Sequence, residues 1–95
     1  MITAITTVSC EVGKVHEVAQ ALVDCPGIAE VYSVSGEYDL LAIIRVKEYD
    51  ELAEVVAGSV GSVKGITKTQ THMAFRCYSK QNMERMWGEF IGDGE

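Results

Sequence analysis

Apolar residues along the chain change period in an order that occurs twice. Val15, Val18, Ala19 and Leu22 are spaced i, i+3, i+4, i+7, so they share one stripe of a helix, with Lys14, His16, Glu17 and Gln20 on its wet side. Leu52, Val55, Val56 and Val60 repeat that stripe farther along. Segments 2–10, 30–35, 38–47 and 66–78 are rich in Ile, Val, Thr and Tyr and read as strands. Pro26-Gly27 and Gly65 end the helical stretches, while Ser35-Gly36-Glu37 separates the second and third strands with a turn that needs a permissive backbone at Gly36. The predicted order is β-α-β-β-α-β.

The same order is an internal repeat. A shift that lays Gly27-Ile28 on Gly65-Ile66 also lays Val15, Val18, Ala19 and Leu22 on Ala53, Val56, Ala57 and Val60. It carries Ile2, Ala4, Ile5 and Val8 onto Leu40, Ala42, Ile43 and Val46. Two right-handed crossover units in tandem predict an α+β, ferredoxin-like sandwich, a four-stranded antiparallel sheet with both helices on one face. The third strand, Leu40-Leu41-Ala42-Ile43-Ile44-Arg45-Val46, is apolar on both alternations, whereas a strand with one solvated face should alternate. Something must cover its second side, and the sheet of another copy is the simplest cover. A homodimer is therefore expected.

The repeat stops near Tyr78, so residues 1–80 make the domain and residues 81–95 a C-terminal extension. In the extension Met83, Met86, Trp87, Phe90 and Ile91 follow helical spacing and predict a short terminal helix. It either folds back on its own domain or grips a neighbouring subunit. Gly88 weakens it by about 1 kcal/mol relative to alanine.

Composition narrows the function. A chain of 95 residues with 47% hydrophobic content is one globular domain whose own core is thin, which again favours self-association. Eight Lys plus Arg against fourteen Asp plus Glu leave a net charge of −6, which repels a phosphate backbone, so no direct nucleic-acid partner is expected. Residues 1–8 lack the basic head and apolar stretch of a secretory signal, and no apolar run reaches the roughly 18 residues of a membrane span. A cytoplasmic protein with no membrane contact is expected. Cys10, Cys25 and Cys77 are odd in number and without a C-x-x-C pair, so they read as reduced thiols and not as a disulfide framework or zinc site.

Catalytic chemistry is thinly supplied. His16 and His72 have no serine, cysteine or carboxylate at a spacing that suggests a nucleophile and its base. Glu48, Asp50, Glu51 and Glu54 gather at a helix start, where negative charge favours the dipole. No phosphate-cradling glycine loop is present, nor the aromatic pair an RNA-binding sheet uses. No catalytic residue, metal site or cofactor is expected. Ligand binding is better provided for by the turn Ser33-Val34-Ser35-Gly36-Glu37-Tyr38-Asp39, which concentrates hydroxyls, backbone amides and two carboxylates. Such a turn could hold a zwitterion, with amides near Gly36 on its carboxylate and Asp39 on its ammonium group. It could equally be an ordinary hairpin in which Asp39 bonds to its own turn. Thr67, Thr69 and Thr71 alternate along the last strand, either by strand propensity or as a row of hydroxyls facing a pocket.

Three motifs stand in order inside the repeat: Pro26-Gly27-Ile28 leading into Glu30-Val31-Tyr32, then Ser35-Gly36-Glu37-Tyr38-Asp39-Leu40-Leu41, then Gly65-Ile66-Thr67-Lys68-Thr69-Gln70-Thr71. Together they resemble the effector-binding (RAM) domain of the Lrp/AsnC transcriptional regulators, over residues 2–80. The middle motif resembles that family's G-x-Y-D turn, and the last one its G-V/I-x-x-T-x-T strand. The resemblance implies a dimeric αβ-sandwich whose open sheets face each other, often built into a tetramer of dimers, with amino acids bound between dimers. It implies ligand contacts from Ser35, Gly36, Glu37, Tyr38, Asp39, Thr69 and Thr71, leaves Thr67 undecided and gives the cysteines no role. Family regulators carry a helix-turn-helix before this domain, whereas here Met1 leads straight into the first strand. The expected function is therefore a stand-alone amino-acid-sensing and oligomerising module that acts on transcription indirectly, in company with full-length Lrp/AsnC regulators. The alternatives are a small dimeric ferredoxin-like enzyme of the cofactor-free monooxygenase type, with a cavity lined by His72, Tyr78 or Trp87, and a purely structural interaction domain.

Overall fold

The computed structural model of the chain describes residues 1–81, and the terminal helix expected at 83–91 lies outside them. Its elements follow the predicted order: β1 (Ile2–Cys10), α1 (Val15–Val23), β2 (Ile28–Ser33), β3 (Leu40–Val46), α2 (Tyr49–Ala53) and β4 (Ile66–Ala74). The sheet runs β2-β3-β1-β4 with every neighbouring pair antiparallel, the ferredoxin-like arrangement. The repeat explains the centre of that sheet. Its two equivalent strands, β1 and β3, lie side by side, and Ile5 sits directly opposite Ile43, its counterpart in the second unit. A pseudo-two-fold axis therefore passes between these two side chains.

One face of the sheet carries the core. Ala4 and Val8 of β1 and Leu40, Ala42, Ile44 and Val46 of β3 are buried against Val18 and Leu22 of α1 and against Leu52, Val55 and Val60. The crossovers close on glycines for a shared reason. Gly27 and Gly65 both have positive φ, +91° and +96°. A Cβ on Gly27 would lie 2.6 Å from a Val55 methyl, and one on Gly65 would lie 2.9 Å from a Val18 methyl. Each glycine thus ends one helical segment while packing against the other, which an L side chain would obstruct by conformation and by contact.

The second helical segment differs from the single regular helix expected. After α2 the winding widens to a π-helical stretch, Glu54–Ser59, and then tightens to a 3₁₀ turn, Val60–Ser62. Val55 and Val60 are both buried although five residues apart, a spacing matched by i→i+5 winding better than by a regular α-helix. The strands also shift at their ends. β2 starts early, at Ile28, because a bulge lets Ile28 pair with Ile44. β3 starts at Leu40, which leaves Tyr38 and Asp39 in the connecting loop. β4 ends at Ala74, opposite Thr3, since β1 has almost no chain left to pair with Phe75 to Tyr78.

The other face of the sheet has no helix across it among the described residues. Ile5, Leu41 and Ile43 lie at its centre, half-buried, as the doubly apolar pattern of β3 predicts. Among the described residues no helix is long and apolar enough to cross a membrane. Cys10 and Cys25 are half-buried and Cys77 is exposed, with Cys10 at the end of β1 beside the start of β4 and Cys77 beyond the other end of β4.

Candidate functional site

The loop 34–39 joins β2 to β3 at the end of the sheet where β1 finishes. It is closed by the Val34 N–H donating to the Asp39 carbonyl at 3.0 Å, and Gly36 takes φ +122° with open space around it. Asp39 then fastens the loop to β1 twice. Its own N–H donates to the Val8 carbonyl at 2.9 Å, and its Oδ2 accepts the Cys10 N–H at 2.8 Å. The sequence offered two roles for this carboxylate, a ligand's ammonium or its own turn. Oδ2 instead takes a main-chain donor of β1, which would otherwise lack a partner as the strand ends. Burial pushes the Cys10 thiol above its ordinary value, and the nearby Asp39 charge pushes it further.

Glu37 and Tyr38 of the same loop reach a small hollow of about 100 Å³ on the open side of the sheet. Its floor is Thr7 and Ser9 of β1 with Lys68 and Gln70 of β4. These four share a face because Thr7 registers with Gln70 and Ser9 with Lys68, and the Thr7 hydroxyl donates to the Gln70 carbonyl at 3.4 Å. Both charge signs line the hollow, and among the described residues neither Lys68 nor Glu37 has an ion-pair partner. Sequence reasoning placed Glu37 and Tyr38 correctly in one turn but missed Thr7, Ser9, Lys68 and Gln70. The signal available was the alternation Lys68-Gln70-His72, which shares one side of β4.

The expected hydroxyl row behaves differently. Thr69 and Thr71 register opposite Val8 and Thr6, so they project to the helix side, away from the hollow. The Thr71 hydroxyl is hydrogen-bonded to that of Thr6 at 2.9 Å, and Thr6 is fully buried. Thr67 falls at the bulge between the Ser9–Lys68 and Cys10–Ile66 pairs and drops out of the ladder. Ser35 and Gly36 are exposed on the loop. The structure therefore brings Glu37 and Tyr38 together with the open face and sets Thr69 and Thr71 on the opposite one.

Elsewhere on the open face, the Tyr32 hydroxyl donates to Glu30 Oε2 at 2.8 Å, and Arg45 lies 3.5 Å from Glu30 Oε1. The hydrogen bond to Glu30, with the Glu30 charge behind it, holds the Tyr32 phenol above its ordinary value. His72 sits opposite Ile5 on this face, not in the layer between helices and sheet where the enzyme alternative would need it. A broader groove of about 460 Å³ between α1 and β2 is lined by His16, Ala19, Gln20, Val23, Asp24 and Val31. Among the described residues no cluster of His, Cys, Asp and Glu converges as metal ligands would.

Known proteins share both the sequence and this architecture. The family model described as the Lrp/AsnC ligand binding domain matches residues 3–83. The HTH-type transcriptional regulator FL11 of Pyrococcus furiosus is 35% identical over 79 residues, which cover 83% of this chain and 52% of that protein. The chain spans about half the length of the curated relatives it matches. Among solved structures, TTHA0845 from Thermus thermophilus aligns with a TM-score of 0.78 at 40% identity, over 84% of this chain and all of that one. The transcriptional regulator NMB0573 from Neisseria meningitidis, solved in complex with L-Met, shares the fold at 18% identity and a TM-score of 0.72, over 82% of this chain and 52% of that one.

Proposed function

The chain belongs to the Lrp/AsnC ligand binding domain family, and from that premise we propose that it senses an amino acid and couples binding to self-assembly. The coarser part needs no proposal, since its relatives are named as transcriptional regulators and the family is a ligand-binding regulatory domain. The finer part has one observation at its base. An apolar strip, Ile5, Leu41 and Ile43, lies half-buried with no helix of the described residues across it, beside a loop that Asp39 holds in place. We read the strip as the face of a dimer, because burying it against a second copy removes from water apolar area that no described residue covers. Dimers assemble further, in the manner of a tetramer of dimers, and mix with full-length regulators of the same family through the same surfaces. The working compartment is the cytosol.

The ligand sits against loop 34–39. Ser35 and Gly36 offer backbone amides, Glu37 and Tyr38 offer side chains, and Asp39 keeps the loop in register with β1. Thr69 and Thr71 take part only from a neighbouring dimer, since within one chain their face is turned away from Glu37 and Tyr38. The amino acid in the NMB0573 structure gives this reading its ligand class. Native mass spectrometry with and without a mixture of the twenty amino acids tests it. The expected result is an even-numbered assembly with a bound mass of one amino acid per chain. A single-chain mass with no adduct would overturn it.

A further inference from the structure

Helix α1 carries two stripes. Val15, Val18 and Leu22 face the core, whereas His16, Ala19, Gln20, Val23 and Asp24 line the groove of about 460 Å³ against Val31 of β2. Ala19 and Val31 form its half-buried apolar floor, and Val23 stands 59% exposed beside them. The groove belongs to the helix side of the sheet, since Val31 registers opposite the buried Ala42. A second copy lying on the open face therefore leaves this groove free.

The sequence beyond the described residues supplies a matching segment. Met83, Met86, Trp87, Phe90 and Ile91 are spaced i, i+3, i+4, i+7, i+8, the same spacing as the five α1 residues of the groove, so a helix carrying them matches that stripe in length. Large apolar side chains on one helix fit against the small ones at Ala19, Val23 and Val31. The segment leads out of β4, at the edge of the sheet opposite β2. Residues 75–81 are all exposed, Phe75 at 92% and Tyr78 at 69%, so the path out of β4 does not fold back onto its own domain. In a dimer with its sheets face to face, the partner's helical layer lies about 20 Å from the first sheet, one sheet spacing plus one helix diameter. Residues 75–79, outside any helix, span up to roughly 17 Å, and a helix from Lys80 to Trp87 adds roughly 12 Å. One helix in one groove is a small contact, but across a dimer already formed it gains from a high effective concentration.

We propose that residues 83–91 of one chain dock in the groove between α1 and β2 of a second copy, as an arm exchanged across the dimer. The inference rests on the proposed self-assembly and adds to it a contact outside the sheet face. Trp87, the chain's one tryptophan, reports on that contact. Its emission and its quenching by acrylamide are measured on the full chain, on Val23→Glu and on Ile43→Asp, with sedimentation giving each mass and circular dichroism each fold. Val23 is exposed, so a glutamate there leaves the core intact. The expected result is blue-shifted, shielded emission for the natural sequence and a red shift in Ile43→Asp, which has no partner to supply a groove. Val23→Glu should show the same red shift while keeping the mass of the natural sequence. Shielded emission that persists in single-chain Ile43→Asp would place the segment on its own domain, and shielding unmoved by Val23→Glu would place it elsewhere on the dimer. Either result, or the emission of a water-exposed indole in the natural dimer, would overturn the arm and leave self-assembly standing. A single-chain mass for the natural sequence would overturn both together.

Discussion

Ile43 and Ile44 are neighbours in one strand and have opposite surroundings. Ile44 is fully buried against the helical layer, while Ile43 lies half-buried on the open face beside Ile5 and Leu41. The helix face is a finished core: its apolar positions are covered by the chain itself, and Thr6, the one buried polar side chain among the described residues, has a partner in Thr71. The open face has an apolar centre but a charged and polar rim of Glu30, Arg45, Lys68 and Glu37. An apolar centre ringed by polar groups is the anatomy of an interface, so on the proposed reading the same residue type serves folding on one side and association on the other.

The largest expected difference comes from the two isoleucines. Ile44→Ala removes buried methyl groups from a closed core and should cost about 2–5 kcal/mol, lowering the melting temperature by at least about 8 °C in thermal denaturation. Ile43→Asp should leave the chain folded by circular dichroism but weaken the dimer on the order of 100-fold, because a charge without a partner enters the interface centre. If both variants unfolded alike, the two faces would not differ as described.

Asp39→Ala comes next. It strips the acceptor from the Cys10 N–H and leaves the loop tied to β1 only by the main-chain bond of position 39 to the Val8 carbonyl, an expected loss of about 1.5–3 kcal/mol in urea denaturation. Asp39→Asn keeps an acceptor oxygen and should lose less. Equal losses would mean that the carboxylate does not act through that bond. Thr71→Val is smaller, about 1–2 kcal/mol, since it leaves the buried Thr6 hydroxyl without its partner. Replacing both threonines with valine should recover part of that loss, whereas a strictly additive double variant would argue against the pair.

The smallest effect belongs to the rim. Tyr32 is held above the ordinary phenol value of about 10 by its bond to Glu30, so the fold favours the protonated phenol. That contribution is complete below the unfolded value and is lost as pH rises through the higher folded one. Tyr32→Phe should flatten the alkaline end of the stability profile. An unchanged slope above pH ~10 would mean the bond contributes nothing.

Much of this was legible in the chain because the relevant signals contrast with their surroundings. The repeat aligned Gly27 with Gly65, and both prove to be positive-φ positions packed against the opposite helical segment. The double apolar alternation of β3 identified the open face from sequence alone. The faces of β4 were not legible, since Thr67, Thr69 and Thr71 alternate with Lys68, Gln70 and His72 and both series are polar. A period of two carries no information without polarity contrast, and only Met73, on the side of Thr71, hinted at the outcome. The role of Asp39 was hidden for another reason. Its partner, the Cys10 amide, is far away in sequence and meets it only once β3 has paired with β1. The widened turn at Glu54–Ser59 was hidden because the stripe Leu52, Val55, Val56 and Val60, spaced i, i+3, i+4, i+8, fits regular helical spacing throughout.

The central claim is that the open face is an interface between copies of this chain, and sedimentation equilibrium at micromolar concentration addresses it most directly. The account predicts the mass of two chains or an even multiple for the natural sequence and the mass of one chain for Ile43→Asp. A single-chain mass for the natural sequence, or an undiminished assembly in the variant, would contradict it.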